Sequence, residues 1–362
     1  MSMKGLFCGS FDPFTLGHLY VVRKALQHYD ELIVCIGKNN EKTALFSVNQ
    51  RAELIKQVLK NQQIINVEVV SDDGMTVDVA QKYGADTLVR GVRPADWEKE
   101  QALAVINAKL AKVRGFELKT KLILQNDELL SAVSSTAVKE LCKLEEYVAL
   151  LDMVPAEVHQ MLVKNSLCQM FDVISECEDI VAQYDKLVES YYSRGYHNFS
   201  HLAYMFNMLN IFIKLSGIWV NAGVYCLAIF AHDYIHKGKI DDEEKSAEAA
   251  KEWCPVPYWK KVKKLVLATK HDQDELDGDE ALMADLDLSI LGTSSQNVWD
   301  WYCAGIRKEY LEIDDANYKA RRRQFLLEML AKKRIFHTDF FHNMLEVQAR
   351  KNIEGELQKL QV

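Results

Sequence analysis

The chain has 362 residues, which at about 150 residues per domain suggests two to three domains, with two favoured. Apolar residues make up 49% and charged residues 27%, with 16 Gly and 5 Pro, so a disordered, collagen-like or linker-rich chain is excluded. A net charge of −8 offers no basic surface for nucleic acid, and the longest apolar runs, such as 223–231, fall far short of the ~20 residues that span a bilayer. Neither nucleic acid nor a membrane is therefore expected as a partner. The amino terminus lacks the apolar core of a secretory signal, and the 8 cysteines form no CxxC pair, so a reducing, cytoplasmic location is expected.

Short apolar runs at 4–9, 31–37, 66–70, 87–90 and 119–124 read as strands, and amphipathic stretches near 18–28, 48–60, 77–83, 97–113 and 135–142 read as helices. Such alternation predicts an α/β first domain over 1–160, a Rossmann-like parallel sheet with helices whose ligands gather at the carboxyl ends of the strands. From 171 onward only three- and four-residue apolar spacing appears, for example at 201–215, 224–236, 259–270 and 320–330. An all-α second domain over 167–362 is expected, joined near 154–166.

The first chemical constellation follows the first strand: Gly9-Ser10-Phe11-Asp12-Pro13-Phe14-Thr15-Leu16-Gly17-His18. At a strand-to-helix turn, backbone N–H groups and the positive helix end suit phosphates, and Gly17 lets the backbone come close. Alone, these residues would equally make a turn and a helix cap. Four further segments accompany them: 39–47, Asp73-Gly74-Met75-Thr76, Arg90-Gly91-Val92-Arg93 with Asp96–Glu100 behind it, and Ser134-Ser135-Thr136.

Taken in order, these five segments closely resemble the cytidylyl/adenylyltransferase superfamily and, within it, the phosphopantetheine adenylyltransferases, over about 155 residues. The resemblance implies transfer of AMP from ATP to 4′-phosphopantetheine, giving dephospho-CoA and pyrophosphate. It further implies that Ser10, Phe11 and Lys42 serve the incoming phosphate, with Thr76 and Arg90 near the pantetheine arm. His18 and Arg93 would face the ATP phosphates, Gly91, Val92 and Glu100 would border the nucleotide, and Ser131, Ser134, Ser135 and Thr136 would receive ATP. Mg²⁺ would accompany ATP, and the protein would assemble as a homo-oligomer. Two departures touch the nucleotide and acceptor side: 124–133 lacks the family's Met-Pro-Ser start and its aromatics, and 93–96 is one residue short. They leave open another phosphorylated acceptor, such as nicotinamide mononucleotide.

The second constellation is Tyr196-His197-Asn198-Phe199-Ser200-His201, then His232-Asp233, then Asp285 and Asp287. Imidazole and carboxylate together suit Zn²⁺, Mn²⁺, Fe²⁺, Ni²⁺ or Mg²⁺ with positions open to water and phosphate. An ionised Asp233 after Ala228-Ile229-Phe230-Ala231 needs a partner that a cation would supply. Asp285 and Asp287 point about 200° apart on one helix, so only one can join the cluster, with Asp287 narrowly preferred.

This pattern, with Asp242-Glu243-Glu244-Lys245-Ser246 and 285–292, resembles the HD superfamily of metal-dependent phosphohydrolases over about 170–335. The resemblance implies His201, His232, Asp233 and Asp287 or Asp285 as metal ligands, and His197 as a proton donor or phosphate contact. It implies hydrolysis of a phosphate ester by metal-activated water, unless the helical half is a ligand-binding or regulatory module. His271, Asp272 and Arg307 are secondary candidates; His236, where the family usually carries tyrosine, is set aside.

Overall fold

The computed structural model describes residues 3–37, 44–125, 133–144, 146–175, 179–273 and 275–360. The chain divides into two compact units, Met1–His159 and Gln160–Val362.

In the first unit β1 (Lys4–Gly9), α1 (Leu16–Ala25), β2 (Glu31–Ile36), α2 (Val48–Asn61), β3 (Val67–Ser71), α3 (Thr76–Tyr83), β4 (Thr87–Val92), α4 (Trp97–Val113) and β5 (Lys119–Leu124) alternate along the chain. α5 (Ser135–Lys143) and the single turn α6 (Tyr147–Leu150) follow. The five strands are all parallel in the order β3-β2-β1-β4-β5. Leu6, Leu32, Val34 and Val89 are wholly or almost wholly removed from water, as expected for parallel strands covered on both faces. The chain winds outward from β1 to β3 and then crosses to β4, so β1 and β4 flank the topological switch point, where such sheets open a crevice at their carboxyl ends.

Two local devices place the crevice. Thr15 accepts from the His18 backbone N–H while the His18 ring accepts from Thr15 N–H, a reciprocal cap that starts α1 at Leu16. Gly91 on β4 has no Cβ because one would stand 2.5 Å from Val21 Cγ2, so glycine lets α1 lie directly on the strand.

The second unit is helical throughout its described residues: most of α7 (Ala156–Ile174), α8 (Ile180–Tyr191), α9 (Phe199–Ser216), α10 (Ala222–Ala231), α11 (Asp242–Ala249), α12 (Trp259–Ala268), α13 (Gly278–Leu288), α14 (Gln296–Glu309), α15 (Asp315–Ala331) and α16 (Asp339–Lys359). α10 buries every residue from Leu227 to Ala231, so its carboxyl-terminal half is core on all sides. Gly195 and Gly305 come so close that a Cβ on Gly195 would lie 2.1 Å from Gly305 O, which seats the 193–198 segment against α14. No described helix is long and apolar enough to cross a membrane.

One expected helix is shorter than its pattern. The periodicity over 224–236 predicts one continuous helix, yet α10 stops at Ala231. Arg194 donates to the carbonyls of Asp233 and Tyr234, and Ser190 Oγ also reaches Tyr234 O, so side chains satisfy the carbonyls that a further turn would have used.

Candidate active sites

In the first unit a cavity of about 310 Å³ opens at the carboxyl ends of β1 and β4. Ser10, Phe11 and His18 line it from the β1–α1 side, Arg90, Gly91 and Arg93 from β4, and Ser134 and Ser135 from the start of α5. Phe11 sits at φ +46°, in the left-handed region that bulky residues avoid, and edge-on packing against Phe7 and His18 holds it there. The His18 ring lies between Phe11 and Phe14. Removal from water pushes its pKa down to about 4, so the ring is neutral at pH 7. Because Nδ1 accepts the Thr15 N–H at 3.0 Å, the remaining ring proton is on Nε2.

Both arginines of the cavity are already paired. Arg90 makes a bidentate pair with Glu100 at 2.9 and 3.0 Å, and Arg93 meets Asp96 at 3.1 Å. Ser134 Oγ caps α5 by accepting from Ala137 N, and Ser135 Oγ donates to Pro13 O. The serines thus shape the turn, and what the start of α5 offers a ligand is its backbone N–H groups. Asp12 is buried and turned away from the cavity: it accepts from Leu45 N and Phe46 N, each at 3.0 Å, and from Lys139 Nζ at 2.5 Å. It fastens the β1–α1 turn to the residues before α2 and to α5.

Thr76, at the head of α3, stands against Cys8, which lines the cavity. Val92 is core, its carbonyl taken by Gln125 N, and Thr136 is exposed in the first turn of α5. Lys42 and Ser131 lie outside the described residues. Gln125 belongs to the 124–133 segment that departs from the family, with no role assigned to it there; its Nε2 donates to Gly17 O at 3.1 Å and it lines the cavity.

In the second unit four side chains meet. His201 Nε2 lies 3.1 Å from His232 Nε2 and 3.1 Å from Asp287 Oδ1; His232 Nε2 lies 3.0 Å from Asp233 Oδ2. Both histidines are fully buried, on α9 and just beyond α10, while Asp287 comes from α13. Two imidazole nitrogens aimed at one another with carboxylate oxygens around them are the donor set of a divalent metal. Two further observations fit a cation. His232 Nδ1 is 2.9 Å from Ile229 O, which holds the proton there and turns the Nε2 lone pair inward. Asp233 Oδ2 is buried with no hydrogen-bond donor. Burial works against both carboxylates, but positive charge at the neighbouring imidazoles holds Asp233 and Asp287 well below the usual carboxylate range, and a cation bound there would supply the same charge.

Asp285, the alternative fourth ligand, is elsewhere. It is fully buried and its oxygens accept from His337 N, Thr338 N and Thr338 Oγ1 at 2.6 to 2.8 Å, so it pins the start of α16 and has no place in the cluster. Arg307 is likewise turned away, to the carbonyls of Tyr310 and Ile313 and to Asp315. His271 Nε2 meets Asp287 Oδ2 at 2.8 Å, behind the ligand oxygen, and Asp272 is exposed.

His236, set aside on sequence grounds, stands in the site. Its ring lies over that of His197 at 4.1 Å, with Nδ1 3.6 Å from Asp233 Oδ1. Glu309 is a further member that no motif marked. Its Oε2 meets His197 Nδ1 at 2.7 Å, and its Oε1 accepts the backbone N–H groups of Tyr196 and His197. Burial alone would lower the His197 pKa; the Asp233 charge and the Glu309 hydrogen bond outweigh it and raise that pKa.

Among known proteins, residues 6–141 match the cytidylyltransferase-like family. The phosphopantetheine adenylyltransferase of Flavobacterium psychrophilum is 42% identical over 118 residues, 32% of this chain and 77% of that protein. That of Lachnoclostridium phytofermentans is 44% identical over 138 residues, covering 38% and 80%. That of Desulforamulus reducens is 40% identical over 159 residues, covering 44% and 93%. Through its amino-terminal unit the chain belongs to the phosphopantetheine adenylyltransferase family of nucleotidyltransferases.

Proposed function

We propose that the first unit transfers AMP from ATP to 4′-phosphopantetheine and that the second is an HD-type, metal-dependent phosphate-ester hydrolase, so that the chain is bifunctional. The observation that supports the transfer reading is a neutral His18 with its remaining proton on Nε2, on the first turn of a helix at the sheet's switch point. In this reaction the acceptor phosphate attacks the α-phosphorus of ATP and pyrophosphate leaves. The enzyme's part is to align two anions and to stabilise the pentavalent centre, and no side-chain nucleophile is needed. His18 Nε2–H donates to a phosphoryl oxygen, and Arg93 adds charge from just beyond β4. Arg90, held in one orientation by Glu100, presents its remaining guanidinium edge to the acceptor. Asp96 and Glu100 are both engaged by arginine, so the Mg²⁺ that travels with ATP would be held by phosphate oxygens and water.

For the second unit the supporting observation is the convergence of His201, His232, Asp233 and Asp287. A divalent cation such as Mn²⁺, Fe²⁺, Zn²⁺, Ni²⁺ or Mg²⁺ held there would supply Lewis acidity toward water and phosphate. His197, its Nδ1 tied to Glu309, keeps a proton on Nε2 for the departing alcohol oxygen.

The test is pyrophosphate release from ATP and Mg²⁺ with 4′-phosphopantetheine or nicotinamide mononucleotide as acceptor, and Mn²⁺-dependent hydrolysis of p-nitrophenyl phosphate by the same sample. Release with 4′-phosphopantetheine alone, and hydrolysis that disappears in Asp233→Asn, are expected. Release only with nicotinamide mononucleotide would overturn the acceptor, and hydrolysis unchanged in Asp233→Asn would overturn the metal site.

A further inference from the structure

A second cavity of about 420 Å³ begins at His197, His271 and Asp287 and runs outward between α14 and α15. Its volume lies within the range of about 300–1,000 Å³ typical of small-molecule sites. Beyond the cluster its walls are apolar and aromatic: Ile306 from α14, Tyr310 and Ile313 from the turn that follows, and Tyr318 and Phe325 from α15. The Tyr310 and Tyr318 rings are 6.3 Å apart, and the Arg307 guanidinium lies over Tyr318 at 4.6 Å, which backs that ring against the helix.

Charge narrows the occupant. Two arginines line this cavity, but Arg322 is buried and fully engaged: it forms a bidentate pair with Glu356 at 2.8 and 3.0 Å and donates to the Tyr302 hydroxyl at 3.0 Å. Arg321 is exposed and, among the described residues, has no carboxylate partner. An alcohol bearing several phosphates would find one free cation here, and a polyhydroxylated one would lose its water against walls that return few hydrogen bonds. A flat ring gains from the same walls, because aromatic faces bury large area and stack.

We propose that the substrate of the second unit is a phosphate ester whose alcohol carries one flat, uncharged aromatic ring, seated against Tyr310 and Tyr318 with its phosphate at the His201–His232–Asp287 end. This rests on the hydrolase reading and adds the leaving group to it. Water oxygen bonds to phosphorus, the bond from phosphorus to the ring-bearing alcohol oxygen breaks, and that oxygen takes the His197 proton; one water proton stays on the phosphate and the other returns to His197, giving hydrogen phosphate and the free alcohol.

The test uses hydrolysis-inert ligands on the full-length protein loaded with Mn²⁺: benzylphosphonate and methylphosphonate, compared by titration calorimetry. Benzylphosphonate is expected to bind at least about tenfold tighter, the gain of burying one ring. Tyr318→Ala should reduce that ratio toward one while Tyr318→Phe preserves it. Equal affinities in the unaltered protein would overturn the proposed class and leave the hydrolase reading standing. So would tighter binding of phosphonoacetate, which carries a second anionic group and no ring. Failure of all three phosphonates to bind Mn²⁺-loaded protein would overturn both.

Discussion

In the first unit each arginine and histidine among the described residues at the cavity already has its balance: Arg90 has Glu100, Arg93 has Asp96, and His18 is kept neutral by burial. In the second, His201, His232 and Asp287 bring donors from three separate stretches of chain to one point, and Asp233 beside His232 keeps a buried carboxylate oxygen without a hydrogen-bond donor among the described residues. The first arrangement suits a ligand that arrives with its own counter-ion and leaves again, because fixed N–H donors orient it without trapping it. The second is a lone-pair cage whose stability depends on a positive occupant. One set of residue types, histidines and carboxylates, is used in opposite ways, and burial together with the tautomer that each backbone partner enforces makes the difference.

The strongest way to break this contrast is to dismantle the cage. His232→Ala or Asp287→Ala should weaken Mn²⁺ binding by more than about 100-fold, read by metal content after gel filtration, since outer-sphere partners of metal ligands alone cost 10–100-fold. Adenylyl transfer by the same folded samples should be unchanged. A parallel loss of transfer would mean that the two sites are not independent. The converse change, His18→Ala, should lower kcat/KM for transfer by about 10²–10³, the usual cost of one lost donor to a developing charge, with hydrolysis untouched. A rise in KM at constant kcat would instead make His18 a ground-state anchor.

How much of this was legible beforehand differs by unit for a physical reason. The five strands were readable because each is a short apolar run closed by local turn signals, and the first site is carried by contiguous segments at strand ends. In the second unit, pattern narrowed Asp285 and Asp287 to one ligand and preferred Asp287 only narrowly, because the choice is made by the N–H groups of His337 and Thr338, some fifty residues later in the chain. Likewise α10 ends where Arg194 reaches across from α8's end to take its carbonyls, and that early ending is what swings His236 over His197. Glu309 lies 112 residues from His197 and belongs to no recognisable motif. Its only trace in the sequence is an acidic residue closing a helix, where a carboxylate is unfavourable without such a role.

A third prediction sharpens the claim that the first unit's charges are internally balanced. Lys139→Met leaves the Asp12 carboxylate buried with its two backbone donors and, among the described residues, no cation. The cost should be about 3 kcal/mol, at the lower end for a broken buried pair because Lys139 is partly in water. Urea unfolding measures it, and Asp12→Asn added to Lys139→Met should recover part of the loss. Full additivity of the two changes would mean that the pair is not coupled.

The smallest expected effect is the pH dependence of the first unit. His159, wholly buried with Nε2 2.7 Å from Tyr147 O, has its pKa pushed down to about 4 by removal from water, as does His18. In the unfolded chain both return to about 6.5. Between about pH 6.5 and 4 the unfolded state therefore binds protons that the folded state refuses, so stability is full above this window and declines as pH falls through it. Each histidine should contribute a slope of about 1 kcal/mol per pH unit. The transition to follow in a calorimeter is the one that ATP shifts upward, since a ligand stabilises the unit that binds it. His159→Gln, whose amide can still donate to Tyr147 O, should remove about half of the slope. A slope unaltered in both His159→Gln and His18→Ala would show that acid acts on this unit through its carboxylates and not through its imidazoles.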